Sequence, residues 1–143
     1  MAVFLDTGFL VALCHQADIF HVRATQLLEN MSTGQFGLIY SSSYILDEAA
    51  TLTLVRTNNN LTILQEFFSF FFGTDPFIEL IPWSKEIEQE TVTLFQQLNQ
   101  KAHSKKEWLS FTDVSNLVCC QKTHIEYIAT FDGHFRRFLT EIN

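Results

Sequence analysis

Residues 2–15 read AVFLDTGFLVALCH, and the chain's architecture follows from them. Residues 2–5 (AVFL) form a short unbroken apolar run ending at Asp6, the pattern of a strand buried on both faces. Thr7 to about His15 then reads as a helix, so a buried strand passes into a helix with an acid at the junction. The pattern recurs along the chain. Phe36 to Tyr40 is apolar and β-prone, and Ser41-Ser42-Ser43 behind it is a helix-start signal. Phe77 to Ile81 (FIELI) reads as a third strand, stopped by Pro82, and Ile125 to Phe131 as a fourth. Helices are predicted from Ile19 to Met31, Tyr44 to Arg56, Leu61 to Phe72, Ser84 to Lys101 and Asp113 to Thr123, with a short one from Phe135 to Leu139. Residues 102–111 form a polar loop.

Strands that alternate with helices and are never joined by tight hairpins imply parallel pairing with right-handed crossovers. The expectation is a three-layer α/β/α domain spanning residues 1–143, with a central parallel sheet of four or five strands and helices on both faces. In such sheets the functional crevice lies beyond the carboxyl ends of the strands, where strand order reverses.

Composition narrows the function. Apolar residues make up 47% of the chain and charged ones 17%, which excludes a disordered or linker-rich protein. Nine Lys and Arg against sixteen Asp and Glu leave a formal charge of -7, which argues against a general nucleic-acid coat protein. Cys14, Cys119 and Cys120 have no zinc or disulfide spacing and read as reduced core thiols. The apolar N-terminus lacks a basic leader and carries Asp6 in its middle, so a soluble cytoplasmic protein without membrane association is expected.

Four acids fall at equivalent places. Asp6 ends the first strand and Asp132 the last, Glu48 lies near the start of the helix after the second strand, and Asp113 opens the helix leading to the last. Each has an ordinary explanation. Ser110-Phe111-Thr112-Asp113 fits a helix-capping pattern, Glu48 and Asp47 suit a helix dipole, and Asp6 and Asp132 suit caps or turns. Together they are harder to dismiss. Two carboxylates about 4 Å apart repel by about 4 kcal/mol at an effective dielectric near 20. Four in one place require raised pKa values or bound cations, and hard oxygen donors select magnesium or manganese over zinc. Two such ions suit phosphodiester hydrolysis, one activating water and the other stabilising the leaving oxygen.

At these residues the sequence resembles a PIN domain, the nuclease fold of the VapC toxins of bacterial and archaeal toxin–antitoxin pairs. The resemblance rests on VFLDTGFLVAL around Asp6, SSSYILDEAATL around Glu48, SFTDVSNLVC around Asp113 and IATFDGHF around Asp132, in register over nearly the whole chain. It implies a ribonuclease dependent on Mg2+ or Mn2+, often dimeric, with an antitoxin partner, leaving a 5′-phosphate and a 3′-hydroxyl. It also implies that Asp6, Glu48, Asp113 and Asp132 hold the metal, supported by the hydroxyls of Thr7 and Thr130. The family sheet finishes with one further strand, which this sequence predicts to be short or absent, since little follows Phe138-Leu139.

Arg56, Arg136 and Arg137 are candidates for contact with substrate phosphates, the last two because they follow Asp132 by about one helical turn. Lys101, Lys105 and Lys106 read more simply as solvated charge. Asn116, one turn past Asp113, is placed to orient it or to be a plain surface or capping amide. His134 is near enough to Asp132 to touch substrate, with a structural role the plainer reading. The run Phe67-Phe68-Ser69-Phe70-Phe71-Phe72 puts rings nearly all round a helix, part for the core and part for a homodimer or antitoxin contact. Against the nuclease stands a non-catalytic PIN-like scaffold that binds RNA or protein and uses its acids only as caps and turns. An aspartyl phosphotransfer site is disfavoured, because Asp6-Thr7-Gly8 lacks a second acid two residues on.

Overall fold

The computed structural model describes residues 1–143, apart from the side chain of Gln35. Strands β1 (Ala2–Leu5), β2 (Leu38–Ser42), β3 (Glu79–Ile81), β4 (Tyr127–Ala129) and β5 (Thr140–Ile142) form one all-parallel sheet in the order β3-β2-β1-β4-β5. The apolar run at residues 2–5 takes the centre. Val3 lies between Ile39 and Tyr127, Phe4 between Tyr40 and Ile128, and Val3, Phe4 and Leu5 are wholly buried. From β1 the chain builds outward on one side through β2 and β3, then returns to the other side as β4. Strand order therefore reverses between β1 and β4, where a doubly wound sheet opens its crevice.

Helices α1 (Thr7–Cys14), α2 (His21–Asn30), α3 (Ser43–Arg56), α4 (Leu61–Phe72), α5 (Lys85–Gln100) and α6 (Phe111–Thr123) flank the sheet. α1 packs against α2, α3 and α4, and α5 against α6. Their starts are written in side chains: Ser42, Asn60, Ser84 and Ser110 each accept the backbone N–H three residues on. Asn58 and Asn59 take left-handed backbone angles after α3, as Asn tolerates and longer side chains resist. α1 buries every residue but Gly8, which places Asp6 and Thr7 rigidly at the sheet edge.

The fifth strand is present, only three residues long, and it is held: Thr130 N–H donates to Ile142 O at 3.2 Å and Thr140 N–H to Glu126 O at 2.9 Å. Other predicted boundaries move for identifiable reasons. The N–H groups of Phe77 and Ile78 both go to Phe70 O, so β3 starts only at Glu79. Ile125 N–H closes the end of α6 on Cys120 O, which delays β4 to Tyr127. The expected helix from Phe135 to Leu139 is instead a single 3-10 turn at Gly133–Phe135, because Phe138 and Leu139 turn back onto Phe135 O and lead into β5. α2 starts at His21, and a wide turn at Met31–Gln35 follows it, closed by Gly34 at φ 148°. In α4, Phe67 and Phe71 are buried, whereas Phe68 and Phe72 are exposed. Among the described residues no helix is long and apolar enough to cross a membrane.

Candidate active site: a carboxylate cleft at the strand ends

Asp6, Glu48, Asp113 and Asp132, from four separate segments, line one open cleft of about 580 Å3 at the reversal point. Each is delivered by a different local device. Asp6 follows β1 directly, and its N–H continues the ladder onto Ala129 O at 3.1 Å. Glu48 is in the second turn of α3, too deep for the helix-dipole role, and its carboxylate accepts the Thr7 hydroxyl. Asp113 and Ser110 form a reciprocal capping box, with Ser110 N–H to Asp113 Oδ2 at 3.1 Å and Asp113 N–H to Ser110 Oγ at 3.0 Å. Asp132 caps the turn at Gly133–Phe135 by accepting His134 N–H at 3.2 Å. The capping readings of Asp113 and Asp132 thus hold, and both acids still reach the cleft.

Asp6 is the buried member of the set, 7% exposed. Thr130 Oγ1 donates to its Oδ2 at 2.9 Å, and Asn116 Nδ2 to its Oδ1 at 3.2 Å. Burial nevertheless pushes its carboxyl up to about 6, with the charges of Asp113 and Glu48 adding to the rise, while Thr7 N–H and Thr130 oppose it. Asn116 therefore orients Asp6 rather than Asp113. The first turn of α6 carries Asp113 toward the cleft, and the wholly buried Asn116 faces the end of β1.

The arginines separate. Arg56 lines the cleft and pairs with Asp18 at 3.5 Å. Arg136 and Arg137 do not border the acids. With no helix after Phe135, Arg136 folds back on Glu141 at 2.9 Å and Arg137 lies over the Phe138 ring, and both line a second cleft with Leu94, Leu98 and Leu117.

Four further lining residues carry weight, and of these the sequence pointed only to His134. Asp18 fastens the loop before α2, taking Phe20 N–H at 2.9 Å on one oxygen and Arg56 on the other. His134 Nδ1 stands between the two acids, 3.1 Å from Asp132 Oδ2 and 3.5 Å from Asp113 Oδ2. Phe20 and Phe131 stack on one another at the rim. Only His134 had a signal, its place two residues past Asp132; Asp18 and Phe20 reach the site by tertiary packing alone.

The donor set, oxygen-only and concentrated in charge, fits a hard divalent cation, which would offset both the burial that raises the Asp6 carboxyl and the smaller push from the charges of Asp113 and Glu48. Among the described residues no three His, Cys, Asp or Glu side chains are already drawn around one point.

The chain is similar along its length to proteins of one kind. A VapC ribonuclease of Archaeoglobus fulgidus is 24% identical over 135 residues, 94% of this chain and 80% of that protein. Among solved structures, Mycobacterium tuberculosis VapC20, described as a toxin cleaving the Sarcin-Ricin loop, superposes with a TM-score of 0.78 at 19% identity, covering 94% of this chain and 93% of its own. VapBC2 of Rickettsia felis, bound to a DNA fragment from its promoter, gives 0.71 at 19% identity, over 100% of this chain and 98% of that one. The family described as PIN domain matches residues 3–139, and the chain belongs to it.

Proposed function

We propose that this protein is an endoribonuclease dependent on Mg2+ or Mn2+, and the toxin of a toxin–antitoxin pair. The observation that carries the reading is the convergence of Asp6, Glu48, Asp113 and Asp132 on one cleft with the buried Asp6 carboxyl raised to about 6. The similarity to a VapC ribonuclease and to VapC20 supports RNA as the substrate class. Asp6, Glu48, Asp113 and Asp132 would hold the metal, which when bound supplies a hydroxide-like water and charge for the leaving oxygen.

The chain's own contribution is positioning. Thr130 and Asn116 fix both oxygens of Asp6, Thr7 fixes Glu48, and Ser110 fixes Asp113. Arg56, half exposed on the cleft wall, is the guanidinium offered to a backbone phosphate. Water adds to phosphorus and the bond to the 3′-oxygen breaks, leaving a 5′-phosphate and a 3′-hydroxyl.

An antitoxin protein and a homodimer are the proposed partners, and the cytoplasm the proposed compartment. Neighbouring structures include toxin–antitoxin assemblies, such as one from Klebsiella pneumoniae with a TM-score of 0.65. Leu61, Phe68 and Phe72 fall on one stripe of α4 and remain exposed, an apolar face suited to such a contact.

The test is cleavage of single-stranded RNA with Mn2+ or Mg2+, lost on chelation and in Asp6→Asn and Asp113→Asn, with the helical content of the wild type retained. Equal cleavage by wild type and variants overturns the reading. The capping bonds of Asp113 and Asp132 favour the non-catalytic scaffold as second reading, and there the chain would bind RNA or protein without turnover.

A further inference from the structure

A ladder of three phenyl rings runs from the core to the rim of the carboxylate cleft. Phe9, wholly buried on α1, stacks on Phe131 with centroids 5.6 Å apart and planes 18° apart. Phe131 in turn stacks on Phe20 at 4.3 Å with the planes only 6° apart. Phe20 ends the ladder, and it is 40% exposed. One of its faces lies against Phe131, which leaves the opposite face and the edges as the parts of the ring able to take a partner. A surface phenylalanine with one face held flat is a platform for another planar ring at stacking distance.

The platform is anchored and well placed. Asp18 accepts Phe20 N–H, which shapes the loop locally, and pairs through its other oxygen with Arg56 on α3, which ties the loop to the cleft wall. Phe131 stands between Thr130, whose hydroxyl holds Asp6, and Asp132. Phe20, Phe131, Arg56 and the four acids all line the same cleft. The cleft wall thus offers an aromatic face, a guanidinium and a carboxylate cluster, which correspond to the base, the phosphate and the reacting bond of one nucleotide.

We infer that Phe20, backed by Phe131, stacks an unpaired nucleobase of the RNA beside the bond to be cleaved and so selects single-stranded or flipped-out substrates. The inference rests on the ribonuclease reading. An apolar protein segment docking on the same rim would need only a greasy surface, whereas a base needs a planar one.

The experiment compares wild type with Phe20→Ala, Phe20→Leu and Phe20→Trp on a short oligoribonucleotide that the wild type cleaves with Mn2+. KM and kcat are read for each, and the same RNA is then offered with a single abasic nucleotide moved along it. Thermal unfolding of each variant checks its fold, and if the alanine variant is unfolded, the leucine and tryptophan variants decide. The expected result is a KM raised about tenfold or more in the alanine and leucine variants with kcat little changed, and wild-type behaviour or better in the tryptophan variant. One abasic position should erase the difference between wild type and Phe20→Leu. Leucine matching wild type, or a loss independent of the abasic position, overturns the platform and leaves the nuclease standing. Unchanged RNA kinetics with weakened binding of a protein partner also overturns it, in favour of protein docking. Failure of the wild type to cleave any RNA overturns the ribonuclease reading and the platform with it.

Discussion

Thr130 donates its hydroxyl to Oδ2 of Asp6 across 2.9 Å, joining the end of β4 to the end of β1 at the point where strand order reverses. Thr130 Oγ1 in turn accepts Asp132 N–H at 3.0 Å, so one side chain sets two of the four acids. Thr130→Val keeps the shape and removes both bonds. Partners that orient metal ligands are worth about 10–100-fold in metal affinity or activity. Manganese affinity and kcat/KM should both fall by that order in the valine variant, and Thr130→Ser should restore most of the loss.

Asp6 also couples stability to pH. Its carboxyl stands at about 6 in the fold against an ordinary 3.8. Between those values the folded chain keeps a proton that the unfolded chain has released, so stability of the metal-free protein falls as pH rises through the window and levels off above it. The shift corresponds to about 3 kcal/mol. Denaturant unfolding in a chelator at about pH 4 and about pH 7 measures it. Asp6→Asn should lack this decline and be more stable than wild type at neutral pH, while wild type regains stability on adding Mn2+.

The three cysteines are predicted to be inert in the native state. Burial pushes the thiol of Cys14 up to about 12 and that of Cys119 up to about 11. Cys120 is raised by burial and also by Cys119 and Asp6. All three are buried and unpaired. An aromatic disulfide reagent near neutral pH should label none of them in the folded protein and all of them in denaturant.

The sheet was legible where pattern is local. The run at residues 2–5, the serines before α3, α5 and α6, and the asparagines after α3 mark their elements because strand burial and capping are short-range effects. Boundaries failed where a bond outside the regular helix or sheet pattern intervened, as when Phe70 O captured the first two residues expected in β3. The four acids were legible because a parallel sheet turns strand ends into one edge. Arg136 and Arg137 were misplaced because the fold after Asp132 depends on Glu141 and β5, which no helical spacing encodes. Asn116 was read toward its sequence neighbour Asp113, whereas its true partner is Asp6, 110 residues away.

Asp6, Glu48, Asp113 and Asp132 are proposed to seat divalent metal, and crystals grown with Mn2+ reveal the ion by its anomalous signal. A peak is expected within about 2.2 Å of carboxylate oxygens from Asp6 and at least one of Glu48, Asp113 and Asp132, absent in Asp6→Asn. Crystals saturated with manganese that leave these four carboxylates without a peak would contradict it.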